Sequence, residues 1–428
     1  MPEAIPRPIP EAVSETVPTP ASGRAGDDRP SVVCVSGRRV VQVLAQLGAR
    51  TVLLGDPTPL DLACAADVPM DLDLDDWTAA EAALRRLHAT HPVRAVLSVY
   101  DAHLPLASFL AARLDVTGLA LAAALNCHDK LRMRLALQAA GLQGPAYAVV
   151  ADEGEAQAAA RWIGHPVLVK KITAAAGRGT LLCRDPGEVA EAVATLREEQ
   201  APNLLVEEYV DGPEYAIQSV TSGGVTEVIS ILAQHTAPGP RPLEVGYDFP
   251  SGLGERGEHD LGRFVAEALR ALGFDDGIAH TQVRLGPAGP VVVNVGARPP
   301  GGLLCAVTEA VRGVDMVRAA AQVALGRPVT RRAPVARHAR YRCVTFDVSG
   351  TVAYDPRALT GARLRAPSPV VGMDVDPGEA VSALDDPGGG TYGRIVVYAD
   401  TEDGLDPAYR RVLDALRPRV ERATTHTP

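Results

Sequence analysis

Short apolar runs ending in glycine or a polar residue alternate with amphipathic stretches through the first part of the chain. Ser31-Val-Val-Cys-Val-Ser-Gly37, Arg50-Thr-Val-Leu-Leu-Gly55 and Val93-Arg-Ala-Val-Leu-Ser-Val-Tyr100 read as strands, and 39–47 and 77–88 as helices. Strands separated by helices imply βαβ units and a parallel sheet. A helix is then predicted over 126–140, with Asn126 as its cap and Asp129 in its first turn. Strands at 146–150, 166–171, 180–183 and 203–209 alternate with helices at 152–163 and 186–199. From 214 the pattern suggests antiparallel strands, at 214–221, 226–232, 280–285 and 291–295, flanked by helices at 260–272 and 306–324. Beyond Pro328 come short strands with Pro and Gly turns and a last helix at 407–415. Residues 1–29, rich in Pro, Ala, Glu and Thr without an apolar period, predict a disordered tail. The expected division is 30–125, an α/β domain; 126–328, a two-lobed domain with a lid at about 145–210; and 329–428, a small α+β domain.

A chain of 428 residues is too long for one ordinary core, which supports several domains. Aromatic residues make up only 4% of it, so the core rests on Ala, Val and Leu. A net charge of −10 argues against a nucleic-acid partner, which requires a basic surface. The six cysteines are scattered without metal-ligand spacing, as expected of a reducing compartment. No apolar run approaches the ~20 residues of a membrane span, and the N-terminus lacks a secretory pattern. The expectation is a cytoplasmic protein with small-molecule partners.

Four stretches carry candidate chemistry. Asn126-Cys-His-Asp129-Lys130-Leu-Arg132-Met-Arg134 starts a helix with a lysine, Arg132 and Arg134 reading as a solvated cationic face. Gly164-His-Pro166-Val-Leu-Val-Lys170 ends a β-branched strand in an ammonium, and alternation sends Lys171 to the other face. Thr173-Ala-Ala-Ala-Gly177-Arg178-Gly179 is a glycine turn whose N–H groups can close on an anion. Leu204-Leu-Val-Glu207-Glu208-Tyr209-Val210-Asp-Gly212-Pro-Glu214 places two acids on either side of a turn. Last, Gly277-Ile-Ala-His-Thr-Gln282 and Pro290-Val-Val-Val-Asn294-Val-Gly296-Ala-Arg298-Pro-Pro-Gly301-Gly302 read as adjacent strands ending in a glycine-rich turn.

In this order the stretches resemble the ATP-grasp ligases, most closely the carboxylate–amine branch that joins amino acids into dipeptides. The resemblance implies an ATP-grasp fold: a Rossmann-like N-terminal domain, a two-lobed nucleotide-binding domain and a small α+β C-terminal domain. It assigns Lys130, Lys170, Gly177 and Gly179 to the phosphates of ATP, and Glu207 with the Tyr209–Val210 backbone to adenine. Glu214 would take the ribose hydroxyls. Arg298 would clamp the transferring phosphoryl group. Gln282 and Asn294 stand where the family has metal-binding glutamates, implying an atypical, weakened Mg²⁺ site; Glu309, Asp275 and Asp276 are the carboxylates nearest in sequence. His280 reads as a strand histidine with a satisfied hydrogen bond, and Glu244 and Asp248 as acids able to meet an amino group. The implied reaction phosphorylates one carboxylate and lets an amine attack it, possible in a homodimer and in natural-product biosynthesis. The alternative is a pseudo-ligase that binds a nucleotide or other ligand after losing its metal site. A carboxylase-like member is a third reading, without a biotin-handling motif to support it.

Overall fold

The structure, a computed structural model, describes residues 28–173, 179–198, 203–237, 239–359, 367–386 and 388–421. Its first unit is a four-stranded parallel sheet in the spatial order Val68–Asp71, Arg50–Gly55, Ser31–Val35, Val93–Leu97. Val32 and Cys34 face one apolar cluster while Val33 and Val35 face another, so the sheet is covered on both sides. That is why its strands read as unbroken apolar runs.

The second sheet is antiparallel, ordered Tyr147–Val150, Leu204–Glu208, Val167–Lys171, Thr180–Cys183. Helices Glu153–Ile163 and Pro186–Glu198 bury small residues such as Ala156, Ala160 and Ala192 against Val167, Val169 and Val206. Lys170 and Lys171 alternate across this sheet as expected; Lys170 is buried and Lys171 half-buried.

The largest sheet has eight strands. Gly289–Gly296, Gly277–Gly286, Glu214–Ser222, Val225–Thr236 and Glu244–Phe249 run through its first part. His338–Val344, Gly393–Ala399 and Val370–Met373 continue it, so strands from beyond Pro328 share a sheet with the region before it. In strand Glu214–Ser222, Tyr215 and Ile217 pack beneath helix Gly254–Leu272, and Ala216 packs on the opposite side with helix Leu304–Arg312. Its Glu214, Ala216 and Gln218 therefore share the face that carries the chemistry.

Two local readings need correction. Helix Lys130–Ala139 is capped by the Asp129 carboxylate, which accepts from Arg132 N at 2.9 Å, and Asn126 instead lies in the last turn of a preceding helix, Leu121–His128, donating to Leu272 O. The helix expected over 306–324 is two, Leu304–Arg312 and Met316–Ala324. Gly313 stops the first in a left-handed conformation, where a Cβ would lie 1.8 Å from Arg332 O, and Asp315 caps the second.

Candidate active site

An open cavity lies between the lid sheet and the eight-stranded sheet. Lys130, Lys170, Glu207, Tyr209, Val210, Glu214, Gln282 and Asn294 all line it, so the structure brings together eight of the residues singled out in sequence. Gly179 sits at the hairpin next to the lysine strand, its carbonyl accepting from Lys171 N at 2.8 Å. Gly177 lies outside the described residues.

The cavity floor is held by a buried charge cluster. Arg134 donates from Nε to Glu207 Oε1 at 2.7 Å, and its Nη1 and Nη2 donate to the carbonyls of Val292 and Val293 at 2.7 and 2.9 Å. Neighbouring carbonyls of a regular strand point opposite ways; the register shift beside Gln282 and Val283 is a bulge that turns both toward one guanidinium. Arg134 is thus not part of a solvated face: it is 4% exposed and pins the lid strand to the large sheet. Glu207 also pairs with the Lys170 ammonium. Burial alone would raise the Glu207 carboxyl, but the two cations outweigh it and hold it down at about 2. Both Glu207 oxygens therefore already accept from protein cations.

Lys130 opens its helix at the cavity edge, its N–H donating to Ile172 O at the end of the lysine strand. Burial lowers its ammonium to about 8, with Lys170 adding repulsion. Lys170 is lowered too, again by burial first.

Arg284 is a residue the motif reading passed over. Its Nε donates to Glu214 Oε2 at 2.9 Å and its Nη1 to Val210 O at 2.9 Å, and its guanidinium lies 4.6 Å from the Tyr209 ring centre. Alternation could have found it: His280, Gln282 and Arg284 are every second residue of one strand, opposite Gln218, Ala216 and Glu214. Glu214 accepts from Gln234 Nε2 at 2.8 Å as well. Burial raises its carboxyl despite Arg284.

Glu244, not Glu309, Asp275 or Asp276, is the carboxylate that comes to Gln282, whose Nε2 donates to Glu244 Oε1 at 2.7 Å. Glu309 faces Arg332, and Asp276 accepts from Gly223 N. Asp248 is taken by His235, Arg340 and Arg342. His280 is buried and bonded to Gln218 at 3.0 Å, as expected; burial, then Arg298, lowers it to about 3.

Magnesium seeks hard anionic oxygens. Around Gln282 and Asn294 the Glu244 carboxylate is taken by the Gln282 NH₂, and the amides bond to one another: Asn294 Nδ2 donates to Gln282 Oε1 at 3.4 Å, and Gln282 Nε2 to Gln234 Oε1 at 3.2 Å. Among the described residues no three His, Cys, Asp or Glu gather to hold a metal. The donor set does not fit the ion that the resemblance implies.

Arg298 lies outside this cavity. It borders a second one, with Ser98, Ser108 and Gly277. Its Nε donates to Asp101 Oδ2 at 2.7 Å and its Nη1 to Pro299 O at 2.9 Å, fastening the glycine-rich turn to the N-terminal unit.

A family model described as an ATP-grasp domain matches residues 163–307, which hold the lysine strand, both acids of the Gly212 turn and the Gln282–Arg298 region. That stretch is similar to ATP-grasp domains. The fold beyond it agrees: the L-amino acid ligase of Bacillus licheniformis superposes with a TM-score of 0.75 at 21% identity, covering 92% of this chain and 99% of that one. An uncharacterized protein of Sinorhizobium fredii is 26% identical over 326 residues, 74% of this chain and 67% of the relative. A D-alanine–D-alanine ligase of Stutzerimonas stutzeri is 32% identical over 169 residues, 38% of this chain and 52% of the ligase. The chain thus spans about half the length of the D-alanine–D-alanine ligases it matches. The ATP-grasp resemblance and fold class read from the motifs are borne out. Among the described residues no helix is long and apolar enough to cross a membrane.

Proposed function

We propose that this protein is an ATP-dependent ligase that joins a carboxylate to an amine. The observation that carries the reading is the cavity between lid and large sheet, with Lys130 and Lys170 at its walls and the Tyr209–Val210 backbone at its hinge. A carboxylate oxygen would attack the terminal phosphorus of ATP, and ADP would leave with the electron pair of the broken P–O bond. The amine nitrogen would then attack the acyl carbon, expel phosphate, and lose a proton to give the amide. The chain's part is positioning and charge. Lys130 and Lys170 would hold the phosphates, Arg284 would brace Glu214 and the hinge, and Arg298 would meet the phosphoryl group or the acyl-phosphate once released from Asp101.

Amino acids are the substrates best supported, because the fold neighbour is an L-amino acid ligase. A dipeptide product, a role in natural-product assembly, a homodimer and a cytoplasmic site go with that reading. The amide groups around Gln282 favour a second reading, a nucleotide-binding pseudo-ligase. The test is ADP release by the purified chain with Mg²⁺ and ATP across amino acids, singly and in pairs. Release that needs one pair, with a product mass equal to their sum less water, supports the ligase. ATP binding without turnover on any pair supports the second reading.

A further inference from the structure

We infer that the cavity takes its nucleotide without a divalent ion between Gln282 and Asn294, the phosphate charge being met by cations and N–H groups of the chain. The inference rests on the nucleotide-binding part of the proposed function and deepens it.

The polarity of the amide chain is not arbitrary. Carboxyl oxygens accept the N–H groups of amides. Glu214 and Glu244 stand at its two ends, and Gln234 turns its NH₂ to Glu214 and Gln282 its NH₂ to Glu244, at 2.8 and 2.7 Å. Gln234 Oε1 is then left to accept from Gln282 Nε2, and Gln282 Oε1 to accept from Asn294 Nδ2. Each carbonyl oxygen of the two glutamines is already committed to a neighbouring amide.

The carboxylates are committed as well. Glu214 accepts from Arg284, Gln234 and Thr236, and Glu244 from Gln282 and the Tyr247 hydroxyl. A cation entering here would meet N–H groups first. A cation at the Gln282 oxygen would compete there with the Asn294 NH₂, which that oxygen already accepts. Lys130, Lys170, Arg134 and Arg284 line the same cavity, Lys170 and Arg134 sharing Glu207 and Arg284 pairing with Glu214, so phosphate would meet protein cations there without an ion.

The test is ADP binding to the full chain by calorimetry, once in EDTA and once in excess Mg²⁺. The expected affinities agree within about threefold, under ~0.7 kcal/mol. Tightening by Mg²⁺ of about tenfold or more overturns the inference and leaves the nucleotide site standing. Absence of ADP binding in both buffers overturns the nucleotide site and the inference with it. The variant Gln282→Glu with Asn294→Glu, checked for an unchanged thermal melt, is expected to gain Mg²⁺-dependent affinity and to broaden the spin-resonance signal of added Mn²⁺. An unaltered chain that already broadens that signal at equimolar Mn²⁺ speaks against the proposal.

Discussion

Arg134 and Glu207 form a buried fork, Nε to Oε1 at 2.7 Å and Nη2 to Oε2 at 3.4 Å, with side chains 4% and 1% exposed. The pair joins the helix that follows the N-terminal unit to the lid strand, and through Val292 and Val293 to the large sheet. Three elements distant in sequence meet at one guanidinium, which shapes the cavity floor.

Loss of that guanidinium leaves Glu207 with the Lys170 ammonium alone and exposes two buried carbonyls. Breaking a buried pair from one side costs about 3–5 kcal/mol. Arg134→Ala is expected to lower the first thermal transition and weaken ADP binding together. Arg134→Lys should recover little, because an ammonium cannot make the fork. Differential scanning calorimetry and titration of ADP check both.

Acid should act through Glu207. Its folded carboxyl is held at about 2, below the ordinary value of 4.5, so its stabilising contribution is complete above pH 4.5 and is lost as pH falls through 2. Wild type should therefore lose stability steadily across that window. Glu207→Gln, less stable at pH 7, should show a flatter profile between those values in urea melts.

Alkali should act through Lys130, whose ammonium sits at about 8. The charged form attracts phosphate, so ADP affinity is expected to fall as pH rises from 7 to 9.5, by up to about tenfold per unit. Lys130→Met should bind more weakly at pH 7 and lose most of this slope. An undiminished slope in the variant would assign the titration to another group.

Asp101 holds Arg298 from the N-terminal unit, Nε to Oδ2 at 2.7 Å. If Arg298 clamps the reacting phosphoryl group, Arg298→Ala should reduce kcat by about 10²–10³ while leaving ADP affinity near wild type. Asp101→Asn, which keeps the shape and removes the charge, should reduce kcat less. Single-turnover rates separated from nucleotide affinity decide between positioning and mere folding.

Gly212 turns the hinge with φ +138°, and a Cβ there would lie 2.1 Å from Leu285 O. The obstacle is backbone of the neighbouring strand and cannot rotate away. Gly212→Ala is expected to cost about 1–3 kcal/mol or more and to weaken nucleotide binding by displacing Glu214. Thermal melts and ADP titration of the variant test this.

Much of the lid was readable. The lysine strand, the helix near 152–163 and the alternation of Lys170 with Lys171 are local matters of β-branching, periodicity and pleat. Glu244 was harder: its strand, Glu244–Phe249, is short and pairs with Val225–Thr236 on one side and His338–Val344 on the other. Both partners are distant or displaced by a bulge, and nothing within six residues announces them. Arg134 looked solvated because a helix face says nothing of the sheet that will cover it.

By itself the sequence determined the order of elements, the parallel first sheet and the antiparallel strands from 214, and the lysines, Gln282 and Asn294 of the cavity, though not Gln234. Those follow from periodicity, propensity and spacing, which act within a few residues. Only the tertiary structure decided how charge is distributed there: Glu207 between two cations, Glu214 braced by Arg284, Glu244 brought to Gln282, and Arg298 drawn to Asp101. Electrostatic partners are chosen by distance and burial, and strands far apart along the chain set both.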